Sequence, residues 1–338
     1  MANGLSFALA QECGAGSRET QIAKQDNETV TTLVISHPAC LAHEMGEGHP
    51  ERPDRLRAIE RALESEAYQM LARDLAPRAD LDAIARVHPK DYIEAIRAAT
   101  PKQGLAAVDP DTSMSPGSYE AALRAAGGAL FAVDEVMSGK VRNAFVATRP
   151  PGHHAEVANP MGFCFFNNAA IAARHAQAAH GAERVAIVDF DVHHGNGTQH
   201  IFWDDPTVTY ASTHEMPLYP GTGAVGERGE HNQIVNAPLR AGDSGETFRE
   251  AMEAVILPRV EAFSPDLIIV SAGFDAPHRD PLGNLNLIEA DYGWATRRLM
   301  EIARRKCGER VVSVLEGGYD LNGLARSVAV HVTTLMEG

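Results

Sequence analysis

The 338-residue chain is poor in cysteine, in basic residues and in long apolar runs. Its 4 cysteines are far apart and form no CxxC motif, which suits a reducing cytoplasm better than a disulfide framework. No segment approaches the roughly 20 apolar residues that a transmembrane helix needs. We therefore expect a cytoplasmic protein that neither crosses a membrane nor depends on disulfide bonds.

The charge balance excludes one class of partner. Lysine and arginine total 30 residues against 45 aspartates and glutamates, so the formal net charge is −15. A nucleic-acid-binding protein normally carries a basic patch, and we expect no nucleic-acid partner. An acidic surface could attract lysine-rich peptides or polyamines, although in many acidic enzymes such a charge means only solubility.

No Pro/Ser/Gly-rich linker, internal repeat or low-complexity tract divides the sequence. The pattern predicts a flexible N-terminal extension at residues 1–30 and one domain at residues 31–338. The extension is polar and lacks a basic n-region and a long apolar core, so it is a poor signal peptide.

Apolar runs of strand length alternate with longer, alanine-rich amphipathic segments. Because the runs are continuous rather than alternating, they indicate strands buried on both faces of a sheet. Strand–helix alternation then predicts an α/β fold, a single three-layer α/β/α domain with a mostly parallel central sheet. The predicted strands are residues 32–36, 144–148, 185–190, 208–211, 267–271 and 311–315. The predicted helices are residues 52–66, 118–137, 167–179, 247–263, 289–305 and 321–336.

Polar side chains follow four of the predicted strands. Ligands of open parallel sheets bind outside the carboxyl ends of the strands, so we expect these side chains to share one rim. The four polar segments are residues 149–154, 189–193, 273–275 and 316–319.

Asp191, His193 and Asp275 are the candidate metal ligands. Asp191 and His193 are two residues apart at the exit of a buried strand, so an extended backbone directs both to one side. Asp275 would complete an Asp/His/Asp site with one position left for water, whose pKa zinc lowers to roughly 7. Iron or cobalt could also occupy this ligand set. Alternatively, Asp191 caps a helix and His193 is an ordinary loop histidine.

His153 and His154 form a tandem pair after a rigid Pro-Pro-Gly turn. Adjacent imidazoles beside a metal-bound water can act as general base and general acid. Each ring needs an orienting acceptor on its other nitrogen, and Asp189 and Asn196 are the natural candidates. The alternative is a pair of surface loop histidines.

Tyr319 follows a Gly-Gly turn at a strand exit, where its hydroxyl could stabilise a developing oxyanion. A tyrosine in such a turn can also be a packing residue. The apolar side chains of the segment Gly162-Phe163 and of Leu218 and Tyr219 could wall a narrow slot for an alkyl chain, unless they only pack within their loops.

These segments resemble the histone deacetylase family of zinc amidohydrolases, which has the arginase–deacetylase fold, and in particular its class II-like bacterial deacetylases and amidohydrolases. The similarity runs from about Thr32 to the C-terminus, with seven motifs in the same order. The motifs are HPERPDR at 49–55, RPPGHH at 149–154, GFCFFNN at 162–168, DFDVHHGNGTQ at 189–199, SAGFDA at 271–276, DPLG at 280–283 and LEGGY at 315–319.

The resemblance implies one zinc ion per chain, bound by the three candidate ligands. It implies that His154 is the general base and later the acid, that His153 paired with Asp189 gives electrostatic help, and that Tyr319 polarises the acyl carbonyl. It also implies a structural potassium ion at Asp189 and Ser212, with the backbone of Asp191 and His193. The implied tunnel and exit-channel residues are Gly162, Phe163, Leu218, Tyr219, Leu282 and Arg55.

Three positions depart from parts of the family. Asn196 stands where class I enzymes have an aspartate, which indicates the class II branch. Leu282 stands where polyamine-selective members have a glutamate gatekeeper, which weakens an acetylpolyamine activity. Leu218 replaces a frequent aromatic residue, and the neighbouring Tyr219 could serve the wall instead.

We therefore predict a zinc-dependent amidohydrolase that removes acetyl or other short acyl groups from acyl-lysine-type amides. Its partner would be an acetylated lysine peptide or protein, or a small acylated amine, and a homo-oligomer is compatible with the sequence. Acetylpolyamine hydrolysis and a non-catalytic acyl-lysine binding module remain alternatives. A two-metal ureohydrolase is disfavoured because Gly195 and Pro277 stand where its second-metal ligands are expected.

Overall fold

A parallel sheet forms the centre of the structure, a computed structural model that describes Met1 and residues 32–338. Apart from Met1, the predicted N-terminal extension lies outside the described residues. The strands are β1 (Thr32–Ser36), β2 (Ala72–Leu75), β3 (Ala106–Asp109), β4 (Thr112–Met114), β5 (Asn143–Val146), β6 (Val185–Asp189), β7 (Val208–Glu215), β8 (Ile234–Leu239), β9 (Leu267–Ala272) and β10 (Val311–Leu315). Eight of them pair in the order β2-β1-β5-β10-β9-β6-β7-β8, all parallel, while β3 and β4 form a separate antiparallel hairpin.

Helices cover both faces of the sheet, which confirms the predicted three-layer α/β architecture. They are α1 (Asp54–Ala62), α2 (Leu81–Ile84), α3 (Lys90–Ala99), α4 (Ser118–Met137), α5 (Asn168–His180), α6 (Asn196–Ile201), α7 (Gly245–Ala251), α8 (Leu257–Phe263), α9 (Glu289–Lys306) and α10 (Leu321–Glu337). Successive strand residues pack into opposite cores, as period-2 geometry requires. Ile187 joins the core under α3, α4 and α5, and its neighbour Val188 joins the core under α1, α9 and α10.

Two helix starts are fixed by side chains that also border the sheet rim. Asn167 caps the start of α5 by accepting the backbone N–H of Ala170 at 2.9 Å, and Gly181, whose φ of 68° suits glycine, follows the end of the helix. Asp320 begins α10 in the same way through the N–H of Gly323, also at 2.9 Å. These caps anchor the loops that carry the candidate site residues.

The two edge strands of the sheet were not predicted from the sequence. β2 contains Arg73 and Asp74 and is largely exposed, and β8 contains Asn236 and Pro238. Neither is a continuous apolar run: β2 carries charged residues and faces solvent, while β8 is largely buried but is interrupted by an amide and a proline, which an edge strand tolerates. The predicted helix 247–263 is α7 and α8 joined by a π-helical turn, Met252–Ile256. Among the described residues, none of the helices has the length and apolarity needed to cross a bilayer.

Candidate active site

The carboxyl ends of adjacent strands bring the predicted site residues to one rim of the sheet. Because β5, β10, β9 and β6 are neighbours, the loops that follow them converge. Each loop contributes one part of the site: the histidine pair, the segment ending in Tyr319, Asp275, and the pair Asp191 and His193.

Asp191, His193 and Asp275 form a buried cluster of three ligand-type side chains. Nδ1 of His193 lies 3.1 Å from Oδ1 of Asp191 and 3.2 Å from Oδ2 of Asp275. Oδ2 of Asp275 is buried and accepts no hydrogen bond from the residues that the structure describes. One nitrogen and two carboxylate oxygens therefore face a common point.

The surrounding hydrogen bonds direct the free electron pairs of this cluster inward. Nε2 of His193 lies 3.2 Å from the carbonyl oxygen of Leu282, which can only accept, so this nitrogen carries the ring proton. The lone pair of Nδ1 is then directed at the two carboxylates. Gly317 donates its N–H to Oδ2 of Asp191 at 2.8 Å and holds that carboxylate in place.

Two glycines allow the carboxylates to approach each other, and the resulting charge fits a divalent cation. A Cβ atom on Gly273 would lie 1.9 Å from Oδ2 of Asp191, and one on Gly317 would lie 2.1 Å from Oδ2 of Asp275. Burial and the neighbouring Asp191 charge raise the pKa of Asp275 to about 7. A cation such as zinc would relieve this repulsion, so the donor set fits the implied metal.

A second ligand-type cluster, Asp134 with His175 and His180, was not predicted from the sequence. Nε2 of each histidine lies 2.7 Å from the same carboxylate oxygen, Oδ1 of Asp134. Nδ1 of His175 lies 3.2 Å from the guanidinium of Arg86, which can only donate, so Nε2 of His175 carries its proton. These contacts link α5 to α4. Because Nε2 of His175 carries a proton, it has no free lone pair to offer a metal.

His153 and His154 lie beside the buried cluster, each paired through Nδ1. Nδ1 of His153 lies 3.0 Å from Oδ2 of Asp189, and Nδ1 of His154 lies 2.9 Å from Oδ1 of Asn196. The two ring centroids are 4.0 Å apart. Because both partners present an oxygen, each ring carries a proton on Nδ1.

The two imidazoles have opposite electrostatic environments. Burial alone would lower the pKa of His153, but the carboxylates of Asp189 and Asp191 outweigh burial and raise it to about 10. Burial holds the pKa of His154 well below its usual value, and the nearby charge of His153 lowers it further. The pair thus combines a cation with a neutral base.

Tyr319 lies in a loop that buried charges hold in place. Oδ2 of Asp280 accepts the N–H of Tyr319 at 2.6 Å, and Arg55 donates from Nε to the carbonyl of Gly318 at 2.6 Å. The guanidinium carbon of Arg55 also lies 4.8 Å from the centroid of the Tyr319 ring. Arg55 therefore supports the tyrosine loop, and its role in an exit channel stays a prediction.

Glu316 has no role in the predictions from the sequence, yet it joins two parts of the site. Its Oε2 accepts the N–H groups of Gly152 at 2.6 Å and of His153 at 3.1 Å. Burial raises its pKa to about 7. Since the next residue, Gly317, holds Asp191, this dipeptide directly after β10 links the histidine pair to the candidate metal ligands. Its sequence signals were its place in the polar segment 316–319 and its membership of the LEGGY motif.

A cavity of about 210 Å³ adjoins these groups and includes all the predicted tunnel residues. The Phe163 ring centroid lies 5.9 Å from that of Tyr319, and the Tyr219 centroid lies 5.1 Å from that of His154. A Cβ atom on Gly162 would lie 2.4 Å from the His154 ring, so glycine is needed where the wall meets the base. The lining residues are Asp111, His154, Gly162, Phe163, His193, Leu218, Tyr219, Leu282 and Tyr319. Asp111 was not predicted from the sequence.

The parallel sheet and its rim define an α/β protein of the arginase–deacetylase class. Residues 49–335 match the family model of the histone deacetylase domain. The chain belongs to the histone deacetylase family.

Individual relatives are similar over most of the chain. Histone deacetylase 14, chloroplastic, of Arabidopsis thaliana is 40% identical over 90% of this chain and 76% of its own. The histone deacetylase-like amidohydrolase of Pseudomonas aeruginosa is 39% identical over 80% of this chain and 73% of its own. A crystal structure of the HDA15 HD domain superposes with a TM-score of 0.86 and 37% identity, over 91% of this chain and 89% of that one. The expected cytoplasmic location stays a prediction.

Proposed function

We propose that residues 31–338 form a zinc-dependent deacetylase domain that removes acetyl or other short acyl groups from acyl-lysine-type amides. One observation carries this proposal. His154, His193 and Tyr319 line the same narrow cavity, so a base, a metal ligand and a hydroxyl donor face one substrate position. The family membership supports hydrolysis of an amide, and the apolar cavity wall suits an extended alkyl chain.

Asp191, His193 and Asp275 would hold zinc, which would supply a Lewis acid for the acyl carbonyl and lower the pKa of water. His154 takes the proton of the attacking water on Nε2, because its Nδ1 proton is held by Asn196. The same Nε2 proton then passes to the departing amine, which would otherwise leave as an unstable anion.

The remaining groups stabilise charge and exclude solvent. The Tyr319 hydroxyl donates a hydrogen bond to the carbonyl oxygen as negative charge develops there. His153, held as a cation by Asp189, adds positive charge beside the reacting centre. Phe163 and Tyr219 enclose the alkyl chain and limit access of bulk water.

The direct test is release of free amine from an acetyl-lysine peptide by the full chain, with and without a chelator. We expect turnover that the chelator abolishes and that added zinc restores. Turnover unaffected by the chelator would contradict zinc dependence, and binding of the peptide without amine release by zinc-loaded protein would favour a non-catalytic binding module.

Acetylpolyamine hydrolysis is tested in the same assay with acetylspermidine. The apolar Leu282 in the cavity wall offers no carboxylate to a polyamine cation, so we expect the peptide to be the better substrate. Leu282→Glu should move the preference toward acetylspermidine by adding one negative charge. A wild-type preference for acetylspermidine would replace the peptide in this proposal.

We also propose a structural potassium ion at Asp189 and Ser212, which pair in register across β6 and β7. Nε2 of His214 faces a backbone carbonyl at 2.9 Å, so its Nδ1 accepts the Ser212 hydroxyl proton at 2.9 Å. The Ser212 oxygen keeps its lone pairs, and the donor set fits a hard cation. Replacing potassium by tetramethylammonium should lower the melting temperature of the wild type but not of Ser212→Ala. Equal decreases in the melting temperatures of the two proteins would contradict the potassium site.

A further inference from the structure

The side-chain amide of Asn196 is held between a histidine and a carboxylate. Its Oδ1 lies 2.9 Å from Nδ1 of His154, and its Nδ2 donates to Oε1 of Glu156 at 2.9 Å. A weaker contact joins Nδ2 to Sδ of Met161 at 3.4 Å. Asn196 is buried, whereas Glu156 is half-buried and faces its amide from the loop that follows the histidine pair.

An amide can present either its oxygen or its NH2 group to His154, and the two choices have opposite consequences. If the NH2 group faced His154, Nδ1 would have to accept and the ring proton would move to Nε2. His154 could then no longer accept a proton at the atom that faces the cavity. Met161 gives only a weak preference, because a thioether is a poor acceptor.

Glu156 removes this ambiguity. An ionised carboxylate can only accept, so it requires the Asn196 NH2 group and turns the amide oxygen toward His154. The opposite orientation would place the amide oxygen 2.9 Å from Oε1, oxygen against oxygen.

We propose that Glu156 is a positioning residue that, through Asn196, keeps the proton of His154 on Nδ1 and its Nε2 free to accept. This inference rests on the proposed role of His154 as the general base. It also accounts for the asparagine at position 196. An aspartate there would put two carboxylates in contact, so Glu156 and Asn196 form a matched pair.

The test compares Glu156→Gln in two backgrounds on the zinc-loaded full chain. In the wild type, glutamine can accept or donate, so it loosens the amide and lowers kcat, by up to about tenfold for one lost hydrogen bond. In Asn196→Asp the same substitution removes a carboxylate–carboxylate contact and donates an N–H to the new aspartate, so it raises kcat. KM should change little in either background because neither residue lines the cavity.

A merely structural role of Glu156 would not make the effect on kcat change sign between the two backgrounds. A decrease in both backgrounds, or no effect in either, would overturn the inference. Met161→Leu and His200→Ala are matched controls that remove the neighbouring contacts to Asn196 and Glu156, and each should leave kcat within about threefold.

A second readout does not require turnover. The ¹⁵N signals of histidine distinguish a proton on Nδ1 from one on Nε2, and they can be recorded for metal-free and zinc-loaded protein. His154 should carry its proton on Nδ1 in the wild type and show a mixture in Glu156→Leu. An unchanged His154 signal in that variant would contradict the inference. If the His154 signal changes in Glu156→Leu as expected but the wild type cleaves no amide, the proposed function fails and the positioning by Glu156 stands.

Discussion

The backbone carbonyl of Leu282 faces Nε2 of His193 at 3.2 Å, while the Leu282 side chain lines the cavity. One residue thus orients a candidate metal ligand and shapes the cavity wall through different atoms. The backbone contact is insensitive to the side chain at position 282, so metal binding and substrate preference can vary separately here.

Leu282→Ala should keep the metal but weaken substrate binding. The carbonyl contact with His193 remains, so the zinc content should equal that of the wild type. Loss of part of an apolar wall should raise KM for an acetyl-lysine peptide by roughly 5- to 10-fold, as expected for about 1 kcal/mol of lost burial. On the same preparation, metal analysis checks the zinc content and steady-state kinetics check KM. Zinc loss in this variant would show that the backbone had moved.

Metal analysis should find one zinc ion per chain. His193→Ala should lose it, because two carboxylates alone lack the nitrogen ligand. His175→Ala serves as the control, since the nitrogen of His175 that faces Asp134 already carries a proton. A second ion in the wild type that disappears in His175→Ala would contradict this assignment. Zinc at 100 times its Kd should stabilise the wild type by about 2.7 kcal/mol and leave the stability of His193→Ala unchanged.

Tyr319→Phe should lower kcat by about 10²- to 10³-fold, the usual cost of losing one donor to an oxyanion. The backbone N–H that bonds Asp280 is unaffected, so the loop and the zinc content should be preserved. Tyr68→Phe is a suitable control because its hydroxyl donates to the carbonyl of Ala329, away from the cavity. Full turnover by Tyr319→Phe would remove the tyrosine from the mechanism.

His88 should make the protein less stable in mild acid. Its Nδ1 donates to the carbonyl of Val157 at 3.0 Å and its Nε2 accepts the N–H of Asn167 at 2.9 Å, so both nitrogens are used by the neutral ring. Burial lowers its pKa from 6.5 to about 4. The unfolded chain therefore binds the proton first as the pH falls. The stability contribution is fully present above pH 6.5 and is lost toward pH 4, by about 3 kcal/mol.

Urea unfolding of metal-free wild type and His88→Gln across that pH range isolates this contribution. Glutamine cannot be protonated but keeps a donor and an acceptor, so its free energy of unfolding should fall less steeply in acid. Parallel curves for the two proteins would show that His88 does not titrate on unfolding.

The central strands were predictable because each is buried on both faces and reads as an apolar run, as β10 does. Helix α4 was predicted with its observed bounds for a similar reason, since alanine-rich amphipathic sequence favours a helix. The edge strands β2 and β8 carry charged, amide or proline residues, and nothing local distinguishes them from loops. The helix α3 was missed as well, although its buried residues have helical spacing.

Within the candidate site, the sequence indicated the buried Asp/His/Asp cluster and, apart from Asp111, the residues that line the cavity, since strand ends on one sheet share a rim. The contacts that hold these residues in place could not be predicted in this way. Glu316 reaches Gly152 across 164 positions of sequence, and Asp280 reaches Tyr319 across 39. Such pairings depend on how loops from separate strands meet, and a single sequence carries no local pattern for them.

Both edge strands of the sheet resist pairing with an additional strand. Pro238 lacks an N–H group with which to recruit a neighbouring strand to β8, and the charges of Arg73 and Asp74 keep β2 hydrated. An all-parallel core assembles slowly, because every pairing needs a long crossover, and its partly folded forms expose apolar strands meanwhile. Edge strands that resist pairing in this way protect newly synthesised chains from edge-to-edge aggregation in a crowded cell.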